Sequence, residues 1–404
     1  HPRGVPQSGP EKGHHRSQRT LPHRQLTVQS ATPNVGITVV SSKQEKRRFL
    51  EFPYLHYEGD EYWVPPLRIQ QKELLNEKKN PFFRNAEIKM FLGESNGRPA
   101  GRIAAVIDHR YNEFHNTKTG FFGFFECEFN PSLADLLFKA AGDWLRSKGM
   151  RTLLGPSNPG MMDEIGVLVD GFSDLPAILM PYHKPYYDEL LTGVGLRKEM
   201  DLYSYVVSSA TVQFDRLTRA FDLILKRYPG LSIREVDMKQ FPREVKIIRQ
   251  IFNKAWERNW GFIPLTEAEF DHLAEGLKQV IDPTLCHIVE YEGVPVGFSI
   301  PLPDYNQIFH KMNGRLFPFG FLRLLRERSR LTKMRTALMG VIPEHRGKGI
   351  DALLHQQLIQ KGLKKGYTVS ELGWVLETNI DMVRVAERIG STDRKVYRMY
   401  GREI

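Results

Sequence analysis

The chain has 404 residues, 41% of them hydrophobic, and 57 Lys and Arg stand against 47 Asp and Glu for a formal net charge of +10. That content supports two or three packed domains, and no apolar run approaches the roughly 18 residues of a spanning helix. The positive surplus suits an anionic partner, whether phosphorylated cofactor, anionic lipid or nucleic acid. Cys127 and Cys286, the only cysteines, lie far apart without metal-ligand spacing, which argues against a disulfide framework or a zinc site and for two buried small hydrophobes.

Residues 1–36 are rich in Pro, Ser, Gln and His, carry no apolar period and lack the apolar centre of a secretory signal, so a disordered extension outside the fold is expected. From there the pattern predicts a strand at 37–40, a helix at 44–55 and a hairpin, 88–94 with 100–108, around Asn96-Gly97. A strand at 121–127 and a helix at 133–148 follow, the helix with Leu133, Leu137, Ala141 and Leu145 at helical spacing. A strand at 151–154, a helix at 185–191 and a strand at 195–207 close the first half. After the polar joint 208–213 the order repeats. A helix at 214–228, a strand at 232–237 and a helix at 243–257 precede a capping box, Thr266 to Glu269, that opens a helix to 281. A hairpin, 285–291 with 294–302, leads through an insertion, 303–335, to a strand at 336–342, a helix at 352–365, a strand at 366–376, a helix ending at Gly390 and a last strand with Tyr397 and Tyr400.

The turn Gly340-Val-Ile-Pro-Glu-His-Arg-Gly-Lys-Gly-Ile350 is the most telling stretch. A strand that ends in a basic, glycine-rich turn and continues as a helix gathers free backbone N–H groups and a positive dipole end, a ready anion site. Arg346-x-x-Gly349 at its centre, with Val375 to Asn379 and Gly390 in register behind it, resembles the cofactor motif of the GNAT superfamily of acyl-CoA-dependent N-acyltransferases. Two departures stand out: Asp351 replaces the usual Gly or Ala, and Ala386 stands where many members carry the tyrosine that protonates the departing thiolate. The corresponding turn of the first half, residues 126–132, is acidic and has no glycine.

The resemblance implies an α/β (α+β) fold of tandem GNAT-like domains, each a mixed, largely antiparallel sheet flanked by helices: a degenerate domain, 37–207, and a CoA-binding domain, 208–404. It extends to bacterial double-GNAT proteins, through Asn259-Trp-Gly-Phe262, residues 302–306, Glu371-Leu-Gly-Trp374 and Asn379, and to ceramide synthase-like members that acylate a sphingoid base. Acyl-CoA is then the co-substrate, no metal is required, and an amine, lipid or soluble, is the acceptor. Gly340, Val341, Ile342, His345, Arg346, Gly347, Lys348, Gly349, Ile350 and Asn379 are expected to hold the cofactor, with Gly349 leaving room for phosphate. Glu371 is the candidate base, against an ion-pair role, and Tyr397 the substitute acid, against plain packing. Asp304 and Asn306 are candidates for acceptor contacts, against an ordinary turn.

The insertion interleaves Ile308, Phe309, Met312, Phe317, Phe319, Phe321, Leu322 and Leu325 with eight Lys and Arg. It reads either as a lid packed on the protein or as a segment lying on an anionic membrane. A cytoplasmic enzyme with peripheral contact at the inner face of the membrane is expected. An aminoacyl-tRNA-dependent transferase of the double-GNAT type is the alternative, although the CoA-like turn argues against nucleic acid; a non-catalytic acyl-CoA or lipid sensor is the third reading.

Overall fold

In the computed structural model, which describes residues 34–404, the first strand, β1 (Val35–Val39), begins two positions earlier than the sequence pattern indicates, with Val35 opposite Ser95. The rest of the expected extension, 1–33, lies outside the described residues. β1 pairs with β2 (Ala86–Ser95), and β2 with β3 (Arg98–Asp108) through Asn96-Gly97. Those two residues take φ of 51° and 79°, the mirror-image turn that matches strand twist. β4 (Thr119–Cys127) continues antiparallel, and β5 (Thr152–Gly155) joins it in parallel after the helix Pro131–Ser147. β6 (Ser157–Asn158) and β7 (Glu164–Ile165) form a separate miniature hairpin, and β8 (Val167–Asp170) is a side branch. These three strands are too short to register as a period-two pattern, and the sequence reading omits them.

β9 (Arg197–Ser208) ends the first half. The second supplies β10 (Leu231–Glu235), β11 (His287–Tyr291), β12 (Val294–Pro303), β13 (Lys333–Val341), β14 (Val369–Leu376) and β15 (Ser391–Glu403). The sheet runs β1-β2-β3-β4-β5-β15-β9-β14-β13-β12-β11-β10, with β8 against β15. Each half's final strand therefore lies beside the other half: β15 pairs with β5, β9 with β14, and β9 and β15 pair antiparallel from Ser391↔Val207 to Gly401↔Arg197.

Helices cover the faces for the reasons their sequences carry. The helix Pro131–Ser147 buries Leu133, Leu137, Ala141 and Leu145 on β2 and β3, each aliphatic side chain contributing about 1.5–3 kcal/mol. The helix Ile350–Lys364 buries Ile350, Leu353 and Leu354 beside Phe221 and Ile224 of the helix Phe214–Arg227. The capping box forms: the Thr266 hydroxyl accepts from Glu269 N at 3.2 Å while the Glu269 carboxylate accepts from Thr266 N at 2.8 Å. Cys127 and Cys286 are both buried and free.

Because β9 and β15 are shared ladders, the two halves should unfold together. Met399 on β15 is fully buried, and Met399→Ala should cost about 2–5 kcal/mol. Urea titration followed by tryptophan fluorescence and by far-ultraviolet dichroism should show one transition moving as a whole; two separable transitions would contradict the shared-ladder account.

Candidate active site

The two parallel pairs, β4 with β5 and β13 with β14, are short. β13 and β14 pair only from Lys333↔Val369 to Thr336↔Leu372, and β13 then runs on to Val341 while β14 turns toward β9, opening a wedge. At the wide end a 3-10 turn, Pro343–His345, feeds the helix Ile350–Lys364. Gly347 and Gly349 take φ of 77° and 79°, which favours glycine at both positions. With no side-chain cap at Gly349, the N–H groups of Gly347, Lys348, Gly349 and Ile350 meet no protein acceptor among the described residues. Free N–H groups at a helix start are an anion cradle in form, the role the sequence reading expects of this turn.

Side chains around the cradle are partly engaged. Arg346 donates to the backbone carbonyls of Ala255 at 2.5 Å and Val341 at 3.3 Å, and Lys348 Nζ lies 3.0 Å from His345 Nδ1 and over the Tyr291 ring. A Cβ at Gly349 would meet Ile224 Cδ1 at 2.6 Å. That corrects the expected role: this glycine admits the neighbouring helix, and a larger residue would collide there before reaching a phosphate. At Gly347 the same construction meets nothing within 4 Å.

The wedge opens into a cavity of about 1200 Å³ lined by residues of both halves. Gly340, Val341, His345, Arg346, Gly347, Ile350 and Asn379 line it; Ile342, Lys348 and Gly349 stand behind. Asn379 also caps the helix Ile380–Arg388, accepting from Met382 N at 3.3 Å. Asp351 and His355, one turn apart, line the cavity too; burial holds the His355 imidazole below its ordinary range, and the nearby Asp351 carboxylate opposes that.

Of the other sequence candidates, Asn306 lines the cavity and Glu371, Tyr397 and Asp304 do not. Both carboxylate oxygens of Glu371 are engaged, one by the Ser204 hydroxyl at 2.7 Å and one by Lys395 Nζ at 3.1 Å, and Glu371 does not line the cavity. The ion-pair alternative describes its surroundings. Tyr397 is fully buried with its hydroxyl unpartnered, also off the cavity lining, and burial drives its pKa well up. Asp304 accepts from Ile178 N at 2.9 Å and Asn306 N at 3.1 Å; burial pushes its pKa up to about 6. Asn306, which does line the cavity, donates to Pro176 O at 2.9 Å. Arg335 adds bonds to the carbonyls of Ile178 at 2.8 Å and Leu179 at 3.0 Å, and Lys395 one to Leu175 at 2.7 Å. Second-half side chains thus pin residues 174–180, a strap whose Leu179, held at φ of 59°, faces the cavity.

Sequence reasoning gave the first half an acceptor-shaping part but assigned none of its residues to the site. Glu126, Asp163 and Glu164 line the cavity together with Arg102 and His183. Glu126 accepts from the hydroxyls of Tyr57, at 2.7 Å, and Tyr187; Asp163 accepts from Gly160 N at 3.0 Å; Glu164 accepts from the Asn158 amide at 2.9 Å. Desolvation pushes Asp163 up to about 7 and Glu126 to about 6, and raises Glu164. The signal available was the aperiodic run Asn158-Pro-Gly-Met-Met-Asp-Glu164, which places two acids between apolar residues without any surface-helix pattern. Nearby, the first-half turn is closed by Asn130, which accepts from Leu133 N at 3.0 Å. Among the described residues there is no cluster of three or more His, Cys, Asp or Glu able to hold a metal, and no helix long and apolar enough to cross a membrane.

The profile of the Acetyltransferase (GNAT) family matches residues 245–390, which contain the cradle. Over 371 residues the chain is 34% identical to Protein YghO of Escherichia coli (strain K12), covering 90% of this chain and 94% of that one. It is likewise 34% identical over 384 residues to the bacterial ceramide synthase of Caulobacter vibrioides (strain NA1000 / CB15N), covering 93% of this chain and 99% of that protein. A solved tandem GNAT protein from the clavulanic acid biosynthesis pathway superposes with a TM-score of 0.53 at 12% identity, covering 91% of this chain and 98% of that one, a likeness of fold. Matched along nearly its whole length and carrying the strand, turn and helix of the cofactor motif, the chain belongs to the GNAT family of N-acyltransferases, among its tandem members.

Proposed function

We propose that this N-acyltransferase moves a long acyl chain from acyl-CoA to the primary amine of a lipid. The observation that carries the reading is the size and lining of the cavity that the wedge opens into. At about 1200 Å³ it exceeds what an acetyl group and a small amine need, and Leu50, Trp63, Met161, Leu179, Phe262 and Leu302 give it apolar walls drawn from both halves. The 34% identical ceramide synthase, by its name a lipid-amide-forming enzyme, supports the same direction. In this reading the CoA pyrophosphate takes the N–H groups of residues 347–350, Arg346 and Lys348 face it, and the pantetheine runs down the wedge beside Gly340 to Ile342. Binding the remote nucleotide positions the thioester, and backbone N–H groups of β13 freed where β14 departs polarise its carbonyl. A neutral amine then attacks, and the thiolate leaves. One donor site per chain follows, because the first-half turn is capped by its own asparagine.

A surface feature bears on where the lipid comes from. The insertion divides into two parts. Ile308, Phe309 and Met312 pack with Leu67, Leu331 and Met334 as a lid would, and its last residues, from Lys333, are already strand β13. On the helix Phe319–Glu327 and just before it, Phe317, Phe319 and Leu322 remain 68%, 79% and 62% exposed, beside exposed Arg315, Arg326, Arg328 and Arg330. Clustered exposed aromatics with a basic surround fit an anionic lipid surface better than they fit water. Peripheral attachment there would let a membrane-dissolved amine enter the cavity.

Two measurements test these readings. Charge-assisted bonds contribute about 1.5–3 kcal/mol each, so Arg346→Glu with Lys348→Glu should weaken palmitoyl-CoA binding at least about 100-fold in calorimetry with the fold intact. Unchanged affinity, or two donor sites per chain, would remove the cradle assignment; wild-type binding of tRNA in place of acyl-CoA would favour the aminoacyl-tRNA alternative.

For the surface, vesicles containing phosphatidylglycerol should co-sediment the wild-type protein at low salt and release it at high salt, since each basic side chain near such a surface is worth about 1 kcal/mol. Phe319→Asp with Leu322→Asp should abolish attachment while acyl-CoA binding persists. A wild-type protein that ignores such vesicles at low salt would exclude the membrane reading.

A further inference from the structure

Glu126, Asp163 and Glu164 face one cavity with no Lys, Arg or His nitrogen within 4 Å of any of their oxygens among the described residues. Each has a single oxygen engaged, by the tyrosine hydroxyls, Gly160 N and the Asn158 amide respectively, leaving Glu126 Oε1, Asp163 Oδ1 and Glu164 Oε2 without a protein donor. Carboxylates that line a cavity, partly desolvated and without counter-charges, are costly. Arg102, on the first-half side, is 5% exposed and lines the same cavity; its Nη1 donates to Phe49 O at 2.9 Å, and its Nη2 has no protein partner among the described residues. Arg102 of β3, Arg335 of β13 and Glu164 line the same cavity, and the two guanidinium charges oppose the upward push of desolvation on the Glu164 carboxyl. Open acceptors and one open donor thus surround a space that no protein group fills.

We propose that Asp163 and Glu164, backed by Glu126, form the subsite for the acceptor's ammonium group and take its proton, while Arg102 Nη2–H binds an oxygen on the same molecule. The inference rests on the acyl-transfer reading and narrows the acceptor to an amine bearing a nearby hydroxyl or carbonyl group. Protons and bonds balance. The ammonium gives one proton to a carboxylate, the nitrogen lone pair forms the amide C–N bond, the C–S bond breaks, and the second nitrogen proton ends on the CoA thiol. The carboxylate returns its proton to solvent. Burial lifting Asp163 to about 7, with the charges of Glu164, Glu269 and Asp108 adding to it, makes that acid a proton acceptor matched to neutral conditions. A cationic ligand also removes the penalty of the unpaired charges, so the same groups serve binding and deprotonation.

Asp163→Asn and Glu164→Gln keep shape and the bonds from Gly160 and Asn158, and three readouts separate the possibilities. With palmitoyl-CoA as donor and sphinganine as acceptor, kcat/KM should fall about 100-fold or more in each variant, and palmitoyl-CoA affinity by calorimetry should stay within about twofold. Sphinganine binding, followed through the fluorescence of Trp63, Trp260 and Trp374 at the cavity wall, should weaken about tenfold or more in the variants. Binding of N-acetylsphinganine, which has no ammonium, should not weaken. Removing an unpaired charge from the cavity wall should leave the melting temperature at pH 8 equal or higher, whereas a purely structural pair would lower it. If the wild type turns over and both variants keep kcat/KM within threefold, the subsite is wrong and acyl transfer stands. If the wild type transfers to no amine, the transfer reading fails, and the fluorescence comparison still decides whether the carboxylates bind an ammonium.

Discussion

The site depends on an interruption: the parallel ladder between β13 and β14 stops after Thr336 and Leu372, while β13 continues for five more residues. Backbone groups that a continuing neighbour would have paired are left facing a gap. Such groups need other partners, as Met339 O finds in the Trp256 indole N–H at 3.0 Å, or else water or a ligand's own amide groups. The glycine turn at its mouth extends the logic from amides to phosphates, because residues 347–350 present N–H groups that the helix geometry leaves free. In the proposed reading, a single chain supplies, in order, donors for a carbonyl, for an extended amide arm and for a pyrophosphate.

The crossing of β9 and β15 explains why the gap leads into one cavity shared by both halves. With each terminal strand lying in the other half's territory, the first-half segment after β5 is carried across to the wedge. Its strap, 174–180, hangs from Asp304, Asn306, Arg335 and Lys395 of the second half. Glu371 belongs to this support: it holds Lys395, and Lys395 holds Leu175 O. Residues that looked like chemistry in sequence position the wall against which a substrate would lie.

Most of the elements were legible because they rest on local rules. The Asn96-Gly97 turn, the Thr266 capping box, the stripe Leu133, Leu137, Ala141, Leu145 and the cofactor turn each encode their structure within a few residues. What escaped depends on distance in the chain. Nothing near Val207 or Tyr397 states that these strands will pair with each other, and a carboxylate on a strand reads the same whichever face it takes. Glu371 went to the ion pair, and the acids that reached the cavity, Asp163 and Glu164, sit on a hairpin of two-residue strands that no periodicity marks. Gly349 shows the same limit from the other side, since the Ile224 side chain that requires it comes from a helix more than a hundred residues away.

The two halves repeat one framework with opposite electrostatics. Where the second half ends its fourth strand in Arg346, Lys348 and uncapped N–H groups, the first ends β4 in Glu126 and closes the following helix with Asn130. An anion is therefore favoured at one end of the shared cavity and a cation at the other. For a reaction between a polyphosphate-bearing thioester and an amine, that polarity sets the orientation of each substrate before any specific contact forms. It also discourages the reverse arrangement, because a pyrophosphate entering the first-half chamber would meet three carboxylates. On the proposed reading, a tandem fold separates donor from acceptor through charge and brings them together at the wedge between β13 and β14.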